Sequence, residues 1–419
     1  MQVTVNKVDD INYIMSGTVE NSVIEKKVAE FKEAQAQNSQ DEKKDNKNIE
    51  QEAAGQVFKE FIDAGIKEAN IDVNTLLGQP ILKKYEQRDD SVYFEVDLST
   101  SPDVNVEGID YTEIVPKYTK PTADPEAVEK KLEEFAKQQA PFKPIATPKT
   151  LEEGDVAVID FIGYIDGKPF EGGSAEKFNL KIGSNSFIPG FEEQLIGMEY
   201  GEQKTISVTF PTDYQAPDLA GKETKFDVKF HEIQEQIPET PDDAFAKKIL
   251  SDPAATLETL KEKLGDQVIS EELSQIYMKE LKPKIVEALL KKVDFTLPNN
   301  IVEQEIDGII RAKTKNFSEE EHKEYIEDKE KFQALRESFR EDAKKIVKTA
   351  LIVEALAKRE GIVVHDQEVH AALGYQAMMT GQDAQELVKY YEENNLMTSA
   401  KMGLTEDKLF GQMLGFHKQ

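Results

Sequence analysis

Six phenylalanines, Phe161, Phe170, Phe178, Phe187, Phe191 and Phe226, with Ile188 among them, carry the chemistry that can be read between residues 155 and 233. No polar catalytic group accompanies them. Rings gathered at strand and loop ends can line a pocket for a bulky apolar ring, and proline is the obvious candidate. The reaction open to such a pocket is rotation about the X–Pro amide. Its barrier is about 18–20 kcal/mol and needs no nucleophile, metal or proton shuttle to cross. The twisted amide is less polar than the planar one, so an apolar site favours it. Gripping the ring while the preceding carbonyl swings then binds the twisted state better than the ground state.

A small β domain must position these rings. Val156, Val158 and Asp160 alternate with Ala157, Ile159 and Phe161, a period-two strand signal closed by an Asp166-Gly167 turn. The runs VAVIDFIGYIDGKPFEGG (156–173), FNLKIGSNSFIPGFEEQLIGM (178–198) and ETKFDVKFHEI (223–233) contain the whole set.

These runs resemble the FKBP-type (macrolide-binding) prolyl isomerase family. The resemblance rests on FIG (161–163), DGKPFE (166–171), LKIG (180–183), FIPGFE (187–192) and GMEYGEQKTISVTFPTDY (197–214). It implies a catalytic set in which Phe161 and Phe170 form walls, Phe187 and Ile188 one side, Phe191 the floor and Phe226 the far wall. Glu171 stands where the family has an acid near the substrate carbonyl, a solvated rim charge being an equal alternative. The backbone N–H of Ile188 is the implied donor to the rotated carbonyl, and Phe178 and Tyr214 are implied substrate contacts. The chain has Phe191 where many members have Trp, and Phe161 in place of a Tyr. Both keep the ring and lose a polar handle, so turnover is expected to survive. Gln215-Ala216 also lacks a tyrosine hydroxyl that many members use near the carbonyl.

With its flanks, an N-terminal strand at 1–5 and an acidic helical tail after Pro238, the chain resembles the trigger factor family of bacterial folding chaperones along essentially its whole length. The resemblance implies an α+β multidomain protein. Residues 1–114 form an N-terminal α+β domain of the ribosome-binding type, and 115–150 a connector helix packing with the C-terminal domain. Residues 151–236 form an FKBP-like antiparallel β domain with a short helix, and 237–419 an all-helical chaperone domain. It implies a chaperone that holds nascent or unfolded chains without ATP and catalyses X–Pro isomerisation, with the ribosome near the exit tunnel as a further partner. A free cytosolic isomerase and holdase is the alternative. The family's Gly-Phe-Arg-x-Gly-Lys-x-Pro ribosome signature is not in this sequence. Lys43, Lys44 and Lys47 are the basic residues of the corresponding 35–52 segment and are assigned as the ribosome contact, against a solvated loop as the competing account. Residues 1–110 hold 12 Lys and Arg against 23 Asp and Glu, a poor match for an RNA-rich surface.

Periodicity supplies the remaining elements. Strands are expected around Val3 and Val5, at 13–18 and at 92–98. Helices are expected at 22–36, 51–69 and 126–139, the last with Asp124 as cap and Pro125 in its first turn. The segment 35–52 reads as a flexible loop or frayed helix end. Beyond Ile237-Pro238 helices are expected at 256–293, kinked at Pro283, and at 300–312, 330–359, 366–380 and 383–394. This tail also carries Tyr375, Met378, Met379, Tyr390, Tyr391, Met397, Met402, Met413 and Phe416. Met-rich surfaces recur where many partners are held, and Tyr375, Met378 and Met379 are assigned to substrate binding; ordinary helix contacts are the competing account.

Composition excludes much else. The 419 residues are too many for one ordinary core, and no cysteine is present for disulfides, zinc–thiolate sites or thiol nucleophiles. The net charge of −29 disfavours binding to a phosphate backbone, and no sequence-specific nucleic-acid contact is expected. His365 and His370 have a spacing that fits no metal pair, and neither metal nor cofactor is expected. The N-terminus MQVTVNKVDD has no signal-peptide features, and no run of about eighteen apolar residues occurs. A cytoplasmic protein with no membrane contact is expected.

Overall fold

The computed structural model describes residues 1–37, 46–212, 214, 216, 218–238, 240–314, 317 and 328–416. Contacts divide the chain into two units, one of residues 1–118 and 276–419 and the other of 119–275. The sequence expectation is a helical domain over 237–419 with the 115–150 connector helix packing with it. Helices Asp243–Leu250 and Leu257–Ile276 pack against helix Pro125–Gln139, through Val128, Leu132, Phe245, Leu260 and Leu264.

In the first unit, strands β1 (Gln2–Lys7), β2 (Asn12–Glu20), β3 (Ile81–Gln87) and β4 (Ser91–Ser99) form an antiparallel sheet in the order β1-β2-β4-β3. Helices Asn21–Gln37 and Asn46–Glu68 pair with each other, and Val57 and Phe61 pack with Met15, Val19, Phe94 and Val96 of the sheet. The second helix starts five residues before the expected boundary, because Ile49 and Ala53 are buried and extend its apolar stripe toward the N-terminus. Lys43 and Lys44 lie outside the described residues. Lys47 stands in the first turn of the second helix.

Two buried asparagines join this sheet to helix Asn299–Thr314. Asn12 donates from Nδ2 to the carbonyl of Leu297 at 2.9 Å, while its Oδ1 accepts from Ser99 Oγ at 2.7 Å and from the N–H of Asn299 at 2.8 Å. Asn300 donates to the carbonyls of Leu77 and Gln79 at 2.7 and 3.1 Å. Gly78, at φ +68°, permits the approach, since a Cβ there would lie 2.2 Å from Ile301.

Helices Lys282–Lys292, Lys329–Glu360 and Met397–Leu414 share a core with the 104–115 segment through Val106, Ile114, Ile285, Leu356 and Phe410. The expected kink at Pro283 is a π-helical turn over Tyr277–Leu281, the way a helix absorbs a missing N–H. Met402, Met413 and Phe416 pack against this core, and Tyr391 and Met397 against a cluster around Val369 and Leu373. These five are helix contacts.

The second unit contains the β domain. Strands β5 (Phe142–Pro144), β6 (Val156–Ile165), β7 (Lys168–Lys181), β8 (Gln203–Thr209) and β9 (Glu223–Gln236) form a five-stranded antiparallel sheet. β9 pairs with β6 along its length, while β5 and β8 pair with its two ends. β6 and β7 meet at Asp166 and Gly167, both with positive φ, the two-residue turn that suits the twist of a hairpin. Asp124 caps the 125–139 helix by accepting the N–H of Glu126 at 3.1 Å.

Glu303 provides an electrostatic test of the helical core. It is 8% exposed and accepts from Arg336 at 2.7 Å and Arg340 at 2.6 Å. Burial pushes its carboxyl up, but the two guanidinium bonds outweigh burial and leave it below the usual glutamate range. A lowered carboxyl stabilises the fold above the ordinary range near about pH 4, and that stability is lost as pH falls through the lowered value. Glu303→Gln is therefore expected to cost roughly 3 kcal/mol at neutral pH by urea denaturation, with the deficit shrinking on acidification. A deficit independent of pH contradicts the ionic account.

Candidate functional site

The rings converge because β6 and β9 are adjacent and a glycine lets their side chains meet. Phe161 opposes Val228, and Gly163 opposes Phe226 two residues on. A Cβ at Gly163 would lie 2.6 Å from both the Phe170 and Phe226 rings, so only glycine allows them to close over this strand. The Phe170 and Phe226 centroids stand 6.0 Å apart in an edge-to-face arrangement, and Phe161 meets Phe187 at 5.3 Å in the same way.

They enclose a cavity of about 490 Å³. Its lining includes seven residues singled out by sequence: Phe161, Phe170, Glu171, Phe187, Ile188, Tyr214 and Phe226. Phe191 is not a floor open to the cavity. It is fully buried on the short helix Phe191–Leu195, backing Phe187 at 4.6 Å, Phe226 at 5.2 Å and Phe161 at 6.0 Å. Phe178 stands outside the lining, edge-on to Phe161 and Phe187. Tyr375, Met378 and Met379 belong to the other unit, on the exposed side of helix Asp366–Thr380, whose buried side is Val369, Leu373 and Ala377. Gln215 lies outside the described residues.

Sequence reasoning missed Phe210, Pro211 and Leu219, which also line the cavity. Phe210 packs 6.0 Å from Phe170 and 4.7 Å from Tyr214. Its signal was present, because it continues the alternation of Ile206 and Val208 one step past β8.

The loop carrying Phe187 and Ile188 is held by a buried carboxylate. Glu192, 4% exposed, accepts the N–H groups of Asn185, Ser186 and Phe187 at 3.2, 2.9 and 3.2 Å, and Ser184 Oγ at 3.2 Å. Burial raises its carboxyl, and the backbone donors, Phe187 first, overcome this and hold it below the usual range. The carbonyl of Ile188 accepts the Phe191 N–H at 3.1 Å, fixing the turn. The site is thus a preorganised apolar cavity with Glu171 at its rim. Among the described residues no group of three His, Cys or acidic side chains could hold a metal. No helix among them is long and apolar enough to cross a membrane.

Comparison with known proteins bears directly on this arrangement. Residues 147–231 match the family model for FKBP-type peptidyl-prolyl cis-trans isomerase. Residues 41–135 match that for bacterial trigger factor protein, and 256–414 that for the trigger factor C-terminus. The chain is 51% identical to the trigger factor of a Sulfurovum species, covering 99% of this chain and 100% of the relative. It is 38% identical to that of Helicobacter hepaticus, covering 99% and 96%. A solved structure titled "Promiscuous Substrate Recognition in Folding and Assembly Activities of the Trigger Factor Chaperone" is 20% identical over 99% of each chain, with a TM-score of 0.49. The chain belongs to the trigger factor family, and is a folding chaperone and FKBP-type peptidyl-prolyl cis-trans isomerase.

Proposed function

We propose that the cavity walled by Phe161, Phe170, Phe187, Ile188 and Phe226 is where this chain turns over X–Pro bonds. The observation that carries the reading is the lining: aromatic rings from β6, β7, β9 and the 184–188 loop surround about 490 Å³, with Glu171 as the one charged side chain among the described lining residues. A prolyl ring enters this space and is held while the preceding carbonyl rotates. The low polarity favours the twisted amide, whose carbonyl has lost conjugation with nitrogen. The Ile188 N–H meets the rotated oxygen. Phe191 backs the walls, Glu171 stands near the carbonyl, and Phe178 and Tyr214 contact flanking substrate. No cofactor takes part.

The holding surface is a separate site. Tyr375, Met378 and Met379 are 63%, 68% and 67% exposed on one helix, an apolar and adaptable face that suits many unfolded segments. The partners are nascent and unfolded polypeptides in the cytosol. Ribosome contact is made through Lys43, Lys44 and Lys47, against the acidic background of the N-terminal domain.

Phe187→Ala is expected to lower kcat/KM on a proline tetrapeptide by about tenfold or more while aggregation suppression stays intact. Parallel loss of both activities in the folded variant contradicts separate sites. The triple change Tyr375→Ser, Met378→Ser and Met379→Ser is expected to weaken protection of an unfolded client in light-scattering assays with tetrapeptide turnover unchanged. Unaltered protection removes this face from client binding. Co-sedimentation with ribosomes is expected at low salt, to weaken as salt rises, and to vanish when the three lysines are replaced by glutamate. Binding by that variant places the contact elsewhere.

A further inference from the structure

A bulge in β7 ties a ring packed against the cavity walls to a carboxylate outside the cavity. Ile159 pairs with Phe178 and Phe161 with Ala175, so Glu176 and Lys177 together stand opposite Asp160. Lys177 has φ +50°, the left-handed region that is costly for a residue with a Cβ. Its N–H donates to Oδ1 of Asp160 at 2.7 Å. The other oxygen, Oδ2, lies 2.7 Å from Nε2 of His231 on β9. The Lys177 N–H, with His231 and Lys229 adding, holds the Asp160 carboxyl below its ordinary range despite partial burial. The next residue is Phe178, 40% exposed, whose ring meets Phe161 at 6.1 Å and Phe187 at 5.5 Å. Both are wall rings. The direction in which Phe178 leaves β7 is set by the backbone of the residue before it.

We propose that Asp160 is a positioning residue for the prolyl site: it pins the left-handed Lys177, and so holds Phe178 edge-on to the wall rings Phe161 and Phe187. The inference rests on the reading of that cavity as the isomerase site. Asp160 does not touch the substrate. It acts on capture of the peptide more than on rotation of the bond, because the groups around the rotating amide are held independently by Glu192. The bond joins β7 to β6, and Lys177 stays left-handed only while a partner holds its N–H.

Because the strain belongs to one side chain, a glycine at that position makes the clamp dispensable. The test uses the full-length chain and a proline tetrapeptide, reading peptide affinity by NMR titration and turnover by exchange rate at saturation. Asp160→Ala is expected to weaken affinity by about fivefold, the scale of one strained residue released, with turnover at saturation unchanged. Lys177→Gly alone is expected to leave both unchanged, and Asp160→Ala combined with Lys177→Gly to restore affinity. A general folding defect would not be rescued by a second substitution to glycine. If Asp160→Ala leaves affinity intact, or the double variant is no better than the single, the positioning role is wrong, provided Phe187→Ala still lowers turnover. If Phe187→Ala also leaves turnover untouched, it is the cavity reading that fails.

Discussion

Buried amides need partners, and two of them determine how this chain is divided. Asn12 and Asn300 lie 288 positions apart in sequence, yet each satisfies backbone groups of the other's region with almost no solvent exposure. A buried amide without its partner costs about 1–3 kcal/mol, so both regions are committed to one arrangement. The N-terminal sheet and the late helices consequently form one unit. The isomerase domain, with the helices flanking it, is an insertion between them in sequence.

Within the insertion the division of labour is between rings and a single buried acid. The rings provide an environment, low in polarity and dense in edge-to-face contacts, but they carry no hydrogen bonds that would fix the loop beside them. Glu192 supplies that by gathering three backbone N–H groups. Its carboxylate is not part of the cavity lining, so the site stays apolar while its loop is held electrostatically. Polar groups outside the cavity thus maintain an apolar interior.

Much of this was legible in the sequence, and what was not has identifiable reasons. The Asp124-Pro125 cap, the Asp166-Gly167 turn and the 366–380 helix follow from local stereochemistry, which tertiary structure has no cause to overrule. β3, with the sequence ILKKYEQ, was invisible because it is an edge strand whose lysines face solvent and blur the alternation. Seven cavity residues could be named, five from apolar type and order and Glu171 and Tyr214 through the family resemblance, but Phe191 was placed a layer too far out, since order along the chain does not distinguish a wall from its backing. The boundary near residue 275 lies inside a continuous helical pattern. Only the partners of Leu260 and Leu264 on one side, and of Leu281 and Ile285 on the other, reveal it.

The insertion also has a consequence for synthesis. A chain made from its N-terminus presents β1 to β4 long before residues 297–300 exist to receive Asn12, whereas the cores of the 119–275 unit are built from its own residues. The middle can fold while the beginning waits for the end. For that interval the face of the sheet around Asn12 and Leu77 is without its covering helix. This folding chaperone is itself unfinished until its last third has been translated.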